Sequence, residues 1–401
     1  MRILYLTTYY LPHSSGITAY LHCVARALAQ RGHTVTVLTS RHDPALSDDE
    51  SLDGVRIIRL PVLFRVSKGP VMPTFLWDIH RYLRTHDVVH VHLPFLESAY
   101  AALLNRGRIP LILTVHADLH LPAGFSNRLA SAAVNVMQRF AARRADWLCS
   151  FTWDFAQHSD LLADYLDKTL VIHPPVTVAA STQADVADFR KKYALEGTLI
   201  GFSGRFAEQK GLHVLFDALA HVLQRMPHVR LALAGEYRNV VGEDYYERLR
   251  PQLEEFGDRV ALLGHLDGQE LASFYAACDV LALPSINPME TFGLVQVEAM
   301  LCGTPVVATD FPGGRQAVRL TDMGRIVPPR DSTALAEALL AVLQNPGQYT
   351  KPRAEIERVF SYERAIDLHE ELYRSNRIVQ DDRAFEQANA SHEVGQELKV
   401  V

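Results

Sequence analysis

Residues 284–314 read PSINPMETFGLVQVEAMLCGTPVVATDFPGG. Into this stretch runs a short apolar segment, 280–284, with the composition of a buried strand. A loop holding Asn287, Pro288 and Gly293 follows, and LVQVEAM then opens a helix that Gly303 closes. The next apolar run, PVVAT at 305–309, is a second strand. Strand–helix–strand units of this length build parallel sheets whose faces are covered by helices.

The same rhythm extends in both directions. Toward the C-terminus one further strand is expected at 324–327 and a helix at 333–344. Toward the N-terminus the strands are 199–203, 229–234 and 260–263, with helices at 212–225, 242–256 and 269–277. Before residue 174 the pattern repeats with strands at 2–7, 34–39, 55–60, 87–92, 110–116, 146–152 and 169–173, and helices at 17–31, 95–105, 126–144 and 153–165. In the first of these helices Leu21, Val24, Ala25 and Leu28 fall on one face, and Gly32 ends it. His173-Pro174-Pro175 interrupts the rhythm, and a small, polar run follows. The division expected is an N-terminal α/β domain at 1–175, a linker at 176–195, a second α/β domain at 196–360, and a C-terminal helix with a polar, frayed tail at 361–401. The helix is expected to pack back toward the N-terminal domain.

Composition fits this division. The chain of 401 residues is 48% hydrophobic and 21% charged, which suits a globular protein and excludes a disordered or disulfide-stapled one. Cys23, Cys149, Cys278 and Cys302 are far apart, with no CxxC pair, and read as free thiols in a reducing cytoplasm. The N-terminal residues lack the apolar core of a signal peptide, and no apolar span is long enough to cross a bilayer. The expected location is cytoplasmic, with contact at the inner face of a membrane compatible with the sequence. Net charge is −6, divided as +4 over residues 1–195 and −10 over the rest, with no concentrated basic face for nucleic acid.

Two constellations carry chemistry. In a parallel sheet the edge where strand 280–284 meets its helix faces the ligand crevice, and the first turn of that helix offers unpaired N–H groups to a diphosphate. Glu290 precedes that turn and Glu298 lies eight residues on, within the helix. Carboxylates do not favour phosphate oxygens, but they accept hydrogen bonds from sugar hydroxyls. Two of them flanking an anion-binding helix end point to a nucleotide sugar; the plainer reading is a capping Glu290 and a solvated Glu298. The second constellation is SGRFAEQKG at 203–211, where Arg205 and Lys210 sit on a loop between strand and helix. A guanidinium fork and a mobile ammonium suit a diphosphate leaving group that gains charge. The plainer reading is a pair of surface charges, although cations at a helix start oppose the helix dipole.

With these residues in place, the sequence resembles the retaining glycosyltransferases of family 4. GRFAEQKG is similar to that family's G-R-x-x-x-x-K-G loop, and Glu290 with Glu298 matches its E-x7-E element in a PS…E-x-FGL…EAM…G-x-PVVATD setting. The resemblance covers roughly residues 1–375. Two positions depart from the pattern: Ser15-Gly16 stands for a Gly-Gly pair, and Gln316 stands where many members have Glu. The resemblance implies an α/β protein of GT-B fold, two facing Rossmann-like domains with parallel sheets and an interdomain cleft. It implies transfer of a hexosyl group from a nucleotide-diphosphate sugar to an acceptor hydroxyl with retention of configuration, in cell-envelope, glycolipid or polysaccharide synthesis. It assigns Arg205 and Lys210 to the diphosphate, Glu298 to the ribose, and Glu290 with the backbone of Phe292, Gly293 and Leu294 to the donor sugar and phosphates. Gly16 approaches the diphosphate, His265 stands near the nucleobase, and His116 lies beside the donor sugar and acceptor. The nucleotide sugar is a co-substrate; no cofactor and no metal are implied, since Arg205, Lys210 and helix amides take the charge.

A metal site at His90, His92, His116 and His120 lacks an accompanying carboxylate or thiol set. A non-catalytic nucleotide-sugar binder, or another GT-B activity such as a phosphorylase or epimerase, is the alternative function. The acceptor is expected to be a sugar, a lipid-linked molecule or another small molecule, handled by the N-terminal domain. Residues 59–84 and 119–144 interleave Arg and Lys with Phe, Met, Leu and Trp, a composition that fits a membrane interface as well as crevice loops.

Overall fold

The computed structural model describes residues 1–66, 69–119, 124–237, 245–378, 380–384 and 386–387. It divides into two compact units, Met1–Pro175 with Glu363–Val401, and Val176–Tyr362.

The first unit is built on β1 (Arg2–Leu6), β2 (Thr34–Arg41), β3 (Asp49–Leu52), β4 (Val55–Pro61), β7 (Val88–Leu93), β8 (Leu111–Val115), β9 (Trp147–Ser150) and β10 (Thr169–Val171), with β5 (Phe64–Val66) and β6 (Gly69–Val71) forming a separate antiparallel pair. The main sheet has the order β10-β9-β8-β7-β1-β2-β4-β3. All its pairings are parallel except β3 with β4. β1 is flanked by β2 on one side and β7 on the other, so the winding direction reverses between β1 and β7. Helix Gly16–Gln30 follows β1 and buries Leu21, Val24, Ala25 and Leu28, as its periodicity requires. Ser15 caps it: its Oγ accepts from the Thr18 amide at 3.2 Å while Thr18 Oγ1 takes the Ser15 amide at 2.9 Å. On one side of the sheet, Leu4, Val89, Val91, Leu113 and Leu148 share a continuous core with Phe75, Phe95 and Phe155.

The second unit holds β11 (Leu199–Ser203), β12 (Arg230–Ala234), β13 (Val260–Gly264), β14 (Val280–Leu283), β15 (Val306–Thr309) and β16 (Gly324–Val327). Their order is β13-β12-β11-β14-β15-β16, all parallel, with the reversal between β11 and β14. Helix Leu212–Arg225 buries seven residues, among them Leu215, Phe216 and Leu219, in the core cluster with Phe202, Leu231 and Leu339.

Several expectations are corrected. Within 176–195, residues Gln183–Lys192 form a helix that starts in a Thr182–Asp185 capping box and buries Phe189. The single helix expected at 153–165 is two pieces, Trp153–His158 and Leu162–Lys168. Ser159 separates them: its Oγ accepts from the Leu161 and Leu162 amides and donates to Asp118. The tail is not frayed where it is described. Asp382 and Glu386 are buried; the Asp382 amide donates to Val171 O, and Asp382 and Glu386 carboxylates receive the His173 amide and His173 Nε2. This segment covers β10, the edge strand of the first sheet, which would otherwise present open N–H and C=O groups. Residues 242–244 of the expected helix 242–256, and His120, lie outside the described residues. All four cysteines are free, with Cys149 and Cys278 buried.

Candidate functional site

In a doubly wound sheet the two loops that leave a reversal point part in opposite directions and open a crevice at the carboxyl ends of the strands. In the second unit those loops follow β11 and β14, and they are the two constellations found in the sequence. The structure ties them together. The Ile286 amide donates to Gln209 O at 2.9 Å. Gly211, at φ +70°, lies so close that a Cβ there would sit 2.0 Å from Pro284 O. No side chain fits at that crossing, which accounts for the glycine after Lys210.

Lys210 Nζ lies 2.5 Å from Glu290 Oε2, and Ser285 Oγ reaches the same oxygen at 3.3 Å. Both charged side chains are largely shielded, 23% and 14% exposed. Pairing holds the flexible lysine stem in one place at the crevice. Arg205, on the same loop, makes no ion pair among the described residues.

Gly293 is the N-cap of helix Leu294–Leu301 at φ +73°, and no side chain caps that end. A Cβ on Gly293 would meet Gln296 Nε2 at 2.6 Å and Leu283 Cδ2 at 2.9 Å. The Gln296 amide closes onto Gly293 O at 2.9 Å, and the Leu294 and Val295 amides of this first turn are left for another acceptor. Gln296, fully buried, fixes the turn by donating to Phe292 O at 2.8 Å and Gly314 O at 2.7 Å. The Phe292 ring packs into the core at right angles to Phe360, 5.6 Å between centroids, so only its backbone faces the crevice side.

Glu298 accepts from the Tyr275 hydroxyl at 2.6 Å, and Tyr275 also contacts Ser203 Oγ, at the end of β11, at 3.1 Å. Burial raises the Glu298 carboxyl above the ordinary carboxylate range, and burial followed by the neighbouring carboxylate raises the Tyr275 phenol. Glu298 is therefore a half-buried, oriented acceptor rather than the solvated charge of the plainer reading. Tyr275, Ser203 and Gln296 were not picked out from sequence; each is a polar residue inside an apolar helix or at a strand end, which is the only signal they give. His265 is exposed just after β13, and Gln316 is buried at the start of helix Gln316–Thr321.

His116 and Gly16 belong to the first unit. Gly16 is exposed as the first residue of its helix, and a Cβ placed on it would meet nothing within 4 Å, so this chain itself does not demand a glycine there. His116 directly follows β8 and is 4% exposed. Its Nε2 meets His92 Nδ1 at 2.9 Å, and the two rings stack at 5.2 Å. His92 stacks in turn on His90 at 4.6 Å. His90 bridges the Tyr373 hydroxyl at 2.6 Å and Thr114 Oγ1 at 2.7 Å, and His369 Nε2 meets the Tyr20 hydroxyl at 2.9 Å. These buried imidazoles form a stacked column, in which His92 and His116 are also hydrogen-bonded to each other. Burial drives the His116 pKa down to about 3 and that of His369 to about 4, and holds His90 and His92 well below the ordinary value. His116 is thus a neutral imidazole held in place by His92.

Comparison with known proteins agrees with the geometry. Residues 185–359 match the family model "Glycosyl transferases group 1", and residues 15–172 match "Glycosyl transferase 4-like domain". The phosphatidyl-myo-inositol mannosyltransferase of Mycobacterium tuberculosis is 30% identical over 86% of this chain and 88% of its own. The D-inositol 3-phosphate glycosyltransferase of Xylanimonas cellulosilytica is 31% identical over 84% of this chain and 85% of its own. Among solved structures, Anabaena Alr3699/HepE in complex with UDP-glucose superposes with a TM-score of 0.75 at 23% identity, covering 94% of this chain and all (100%) of that one. Sucrose-phosphate synthase from Thermosynechococcus elongatus gives 0.72 at 22% identity, over 93% and 98%. These two likenesses establish the shared fold.

Proposed function

Since the chain belongs to the group 1 glycosyl transferases, with a glycosyl transferase 4-like domain in its N-terminal half, we propose that it moves a hexosyl group from a nucleoside-diphosphate sugar to a hydroxyl of a sugar or polyol, with retention of configuration. The observation that carries this reading is the crevice of the second unit, where Lys210, Arg205 and the uncapped turn at Gly293 gather around the β11/β14 reversal.

Lys210, Arg205 and the amides of Gly293 and Leu294 take up the charge that grows on the diphosphate as the glycosidic bond breaks. No metal has a part in this reading. Glu298, held by Tyr275, accepts from the ribose hydroxyls, and His265 stands beside the base. Glu290 exchanges its contact with Lys210 for hydroxyls of the donor sugar as the diphosphate engages the lysine. His116 accepts or donates a hydrogen bond beside the reacting carbon as a neutral group, so it brings no charge of its own. Gly16 lets the backbone come close to the diphosphate, which gives that position its reason to be glycine. The relatives' names point to inositol-type acceptors, and we carry a polyol hydroxyl over to this chain.

Among the described residues no helix is long and apolar enough to cross a membrane. Leu63, Phe64 and Trp77 nevertheless stand exposed at 71%, 52% and 73%, in the segment that carries Arg65, Arg81 and Arg84. We extend the reading to peripheral contact with an anionic lipid surface. Flotation with phosphatidylglycerol vesicles tests it, and absence of salt-sensitive binding removes it.

The function itself is tested with a panel of UDP-, GDP- and ADP-hexoses: thermal shift first, then nucleoside-diphosphate release with inositol and simple sugars, and the anomeric configuration of the product by NMR. A stabilising donor that releases diphosphate into a product of the same configuration supports the reading. Stabilisation without any turnover indicates a binding protein, and no stabilisation by any donor overturns the proposal.

A further inference from the structure

The first unit has a reversal point of its own, between β1 and β7, and the loops leaving those two strands wall a cavity of about 350 Å³. That volume lies within the usual range for small-molecule sites. Ser15, Ile17 and Thr18 of its lining flank Gly16, and Pro70, Ala130 and Val134 belong to the apolar and basic stretches 59–84 and 119–144. Its walls are Ile17, Pro70, Phe95, Leu96, Ala130 and Val134.

The threonine and serine hydroxyls that line it from the β1 loop are already used. Thr7 Oγ1 donates to Tyr9 O at 3.2 Å, Thr8 Oγ1 to Pro94 O at 2.9 Å, and Thr18 Oγ1 to His13 O at 2.7 Å. Ser15 Oγ is occupied by the Thr18 amide. These residues therefore turn methyl and methylene groups toward the cavity. The exception is His92, which also lines it: Nδ1 is taken by His116, while Nε2 is buried with no hydrogen-bond partner among the described residues. An orphaned ring nitrogen in a residue only 2% exposed is costly unless a ligand satisfies it.

We infer that this cavity is the subsite for a hydrocarbon portion of the acceptor, an alkyl or isoprenoid chain whose nearest hydroxyl bonds to His92 Nε2. The inference rests on the glycosyltransferase reading and adds the acceptor's chemical class. Placement supports it: His92 holds His116, so a chain seated here brings the acceptor's polar end to the imidazole pair. A wholly polar acceptor would leave the Ile17, Phe95 and Leu96 walls without a partner and gain nothing from them.

The probe is n-octyl β-D-glucopyranoside below its micelle concentration, against methyl β-D-glucopyranoside, measured by isothermal titration calorimetry. Each buried methylene multiplies affinity about fourfold, so burying even part of the chain favours the octyl compound at least about 30-fold. Ala130→Trp, which fills the cavity, and Ile17→Gln, which makes its wall polar, should each remove most of that preference. His92→Phe should weaken octyl glucoside about three- to tenfold, the worth of one neutral hydrogen bond. Equal affinity for the two glycosides, or an octyl preference untouched by both wall substitutions, overturns the inference. A co-crystal with octyl glucoside decides the matter if the variants do not fold, since a chain lying outside the cavity refutes it. Thermal shift with the nucleotide-sugar panel separates the two readings. A protein stabilised by a donor but indifferent to the octyl chain loses only the subsite; one that takes the octyl chain and no donor keeps the subsite and loses the enzymatic reading.

Discussion

The column of buried imidazoles makes the first unit sensitive to acid in a way that can be worked out. His90, His92, His116 and His369 all have pKa values lowered by burial. A group whose folded pKa is depressed below that of a free imidazole binds its proton mainly in the unfolded chain. Its stability is intact above about pH 6.5 and is lost as the pH falls toward the folded value. Keeping His116 or His369 neutral at pH 5 costs about 2 kcal/mol relative to the unfolded chain, so these two together cost about 4 kcal/mol more at pH 5 than at pH 7, and His90 and His92 add to the loss in the same direction. Glu97 works in the other direction. Buried, with the Met72 amide donating to it at 3.1 Å, its carboxyl is raised to about 7. It therefore gains about 2 kcal/mol over the same pH interval. The net loss is at least about 2 kcal/mol, a sizeable fraction of the whole stability of an ordinary domain.

The assay is built into the sequence, because all 3 tryptophans, Trp77, Trp147 and Trp153, belong to the first unit. Urea unfolding followed by tryptophan fluorescence reports that unit alone. With a urea slope of about 2–3 kcal/mol per molar, the midpoint should fall by about 0.7 M or more between pH 7 and pH 5. A midpoint that moves by less than about 0.5 M would refute the claim that these four rings stay neutral in the fold.

Three further outcomes follow from the contacts described. Lys210→Met should lower kcat about 10²- to 10³-fold with less than a tenfold change in donor Kd, because its charge is used most as the leaving group departs; equal losses in both would make it a plain binding residue. Glu298→Gln keeps the Tyr275 contact but loses the charged acceptor, and should weaken nucleotide binding about 10- to 100-fold by calorimetry. Glu386→Ala leaves His173 Nε2 and the Trp153 amide, now at 3.0 and 2.9 Å from its carboxylate, without that partner. The first unit should lose about 3 kcal/mol in the same fluorescence assay, whereas an unchanged midpoint would mean that the tail segment is not part of the folded unit.

The parallel sheets were legible because their central strands are buried on both faces and so read as apolar runs, as in VLAL of β14. The elements that escaped lack that signature. β3, DESL, is an exposed antiparallel edge strand with no apolar alternation, and helix Gln183–Lys192 buries Phe189 alone among its ten residues. The docking of 380–387 against β10 depends on Asp382 and Glu386 finding His173 and the strand-edge amides some 200 residues earlier, and no local pattern encodes a partner that remote. At the candidate site, charged residues and glycines were visible because their types are unusual where they stand. Tyr275 and Gln296 were not, and His92 was visible only as a weak metal candidate, because a polar residue in an apolar run shows its partner only once the chain is folded.

Both units open at a reversal in winding, yet the same topology has been given opposite chemistry. At β11/β14 the loops carry full charges, and the Lys210–Glu290 pair is shielded but only partly buried, so an incoming anion can compete for the lysine. At β1/β7 the loop hydroxyls are closed onto backbone carbonyls within a few residues, or across to Pro94, and a competing ligand would have to break those bonds to gain them. A polar surface that has satisfied itself behaves as an apolar one toward a ligand. Counting polar residues along the β1 loop, TTYYLPHSSGIT, therefore predicts a hydrophilic site, whereas following each hydrogen bond leaves one unsatisfied imidazole nitrogen in an apolar wall. The recognition chemistry of the two reversal points is set by which polar groups remain unspent after folding, and on that count the second unit selects for a charged ligand and the first for a hydrocarbon with a single hydroxyl beside it.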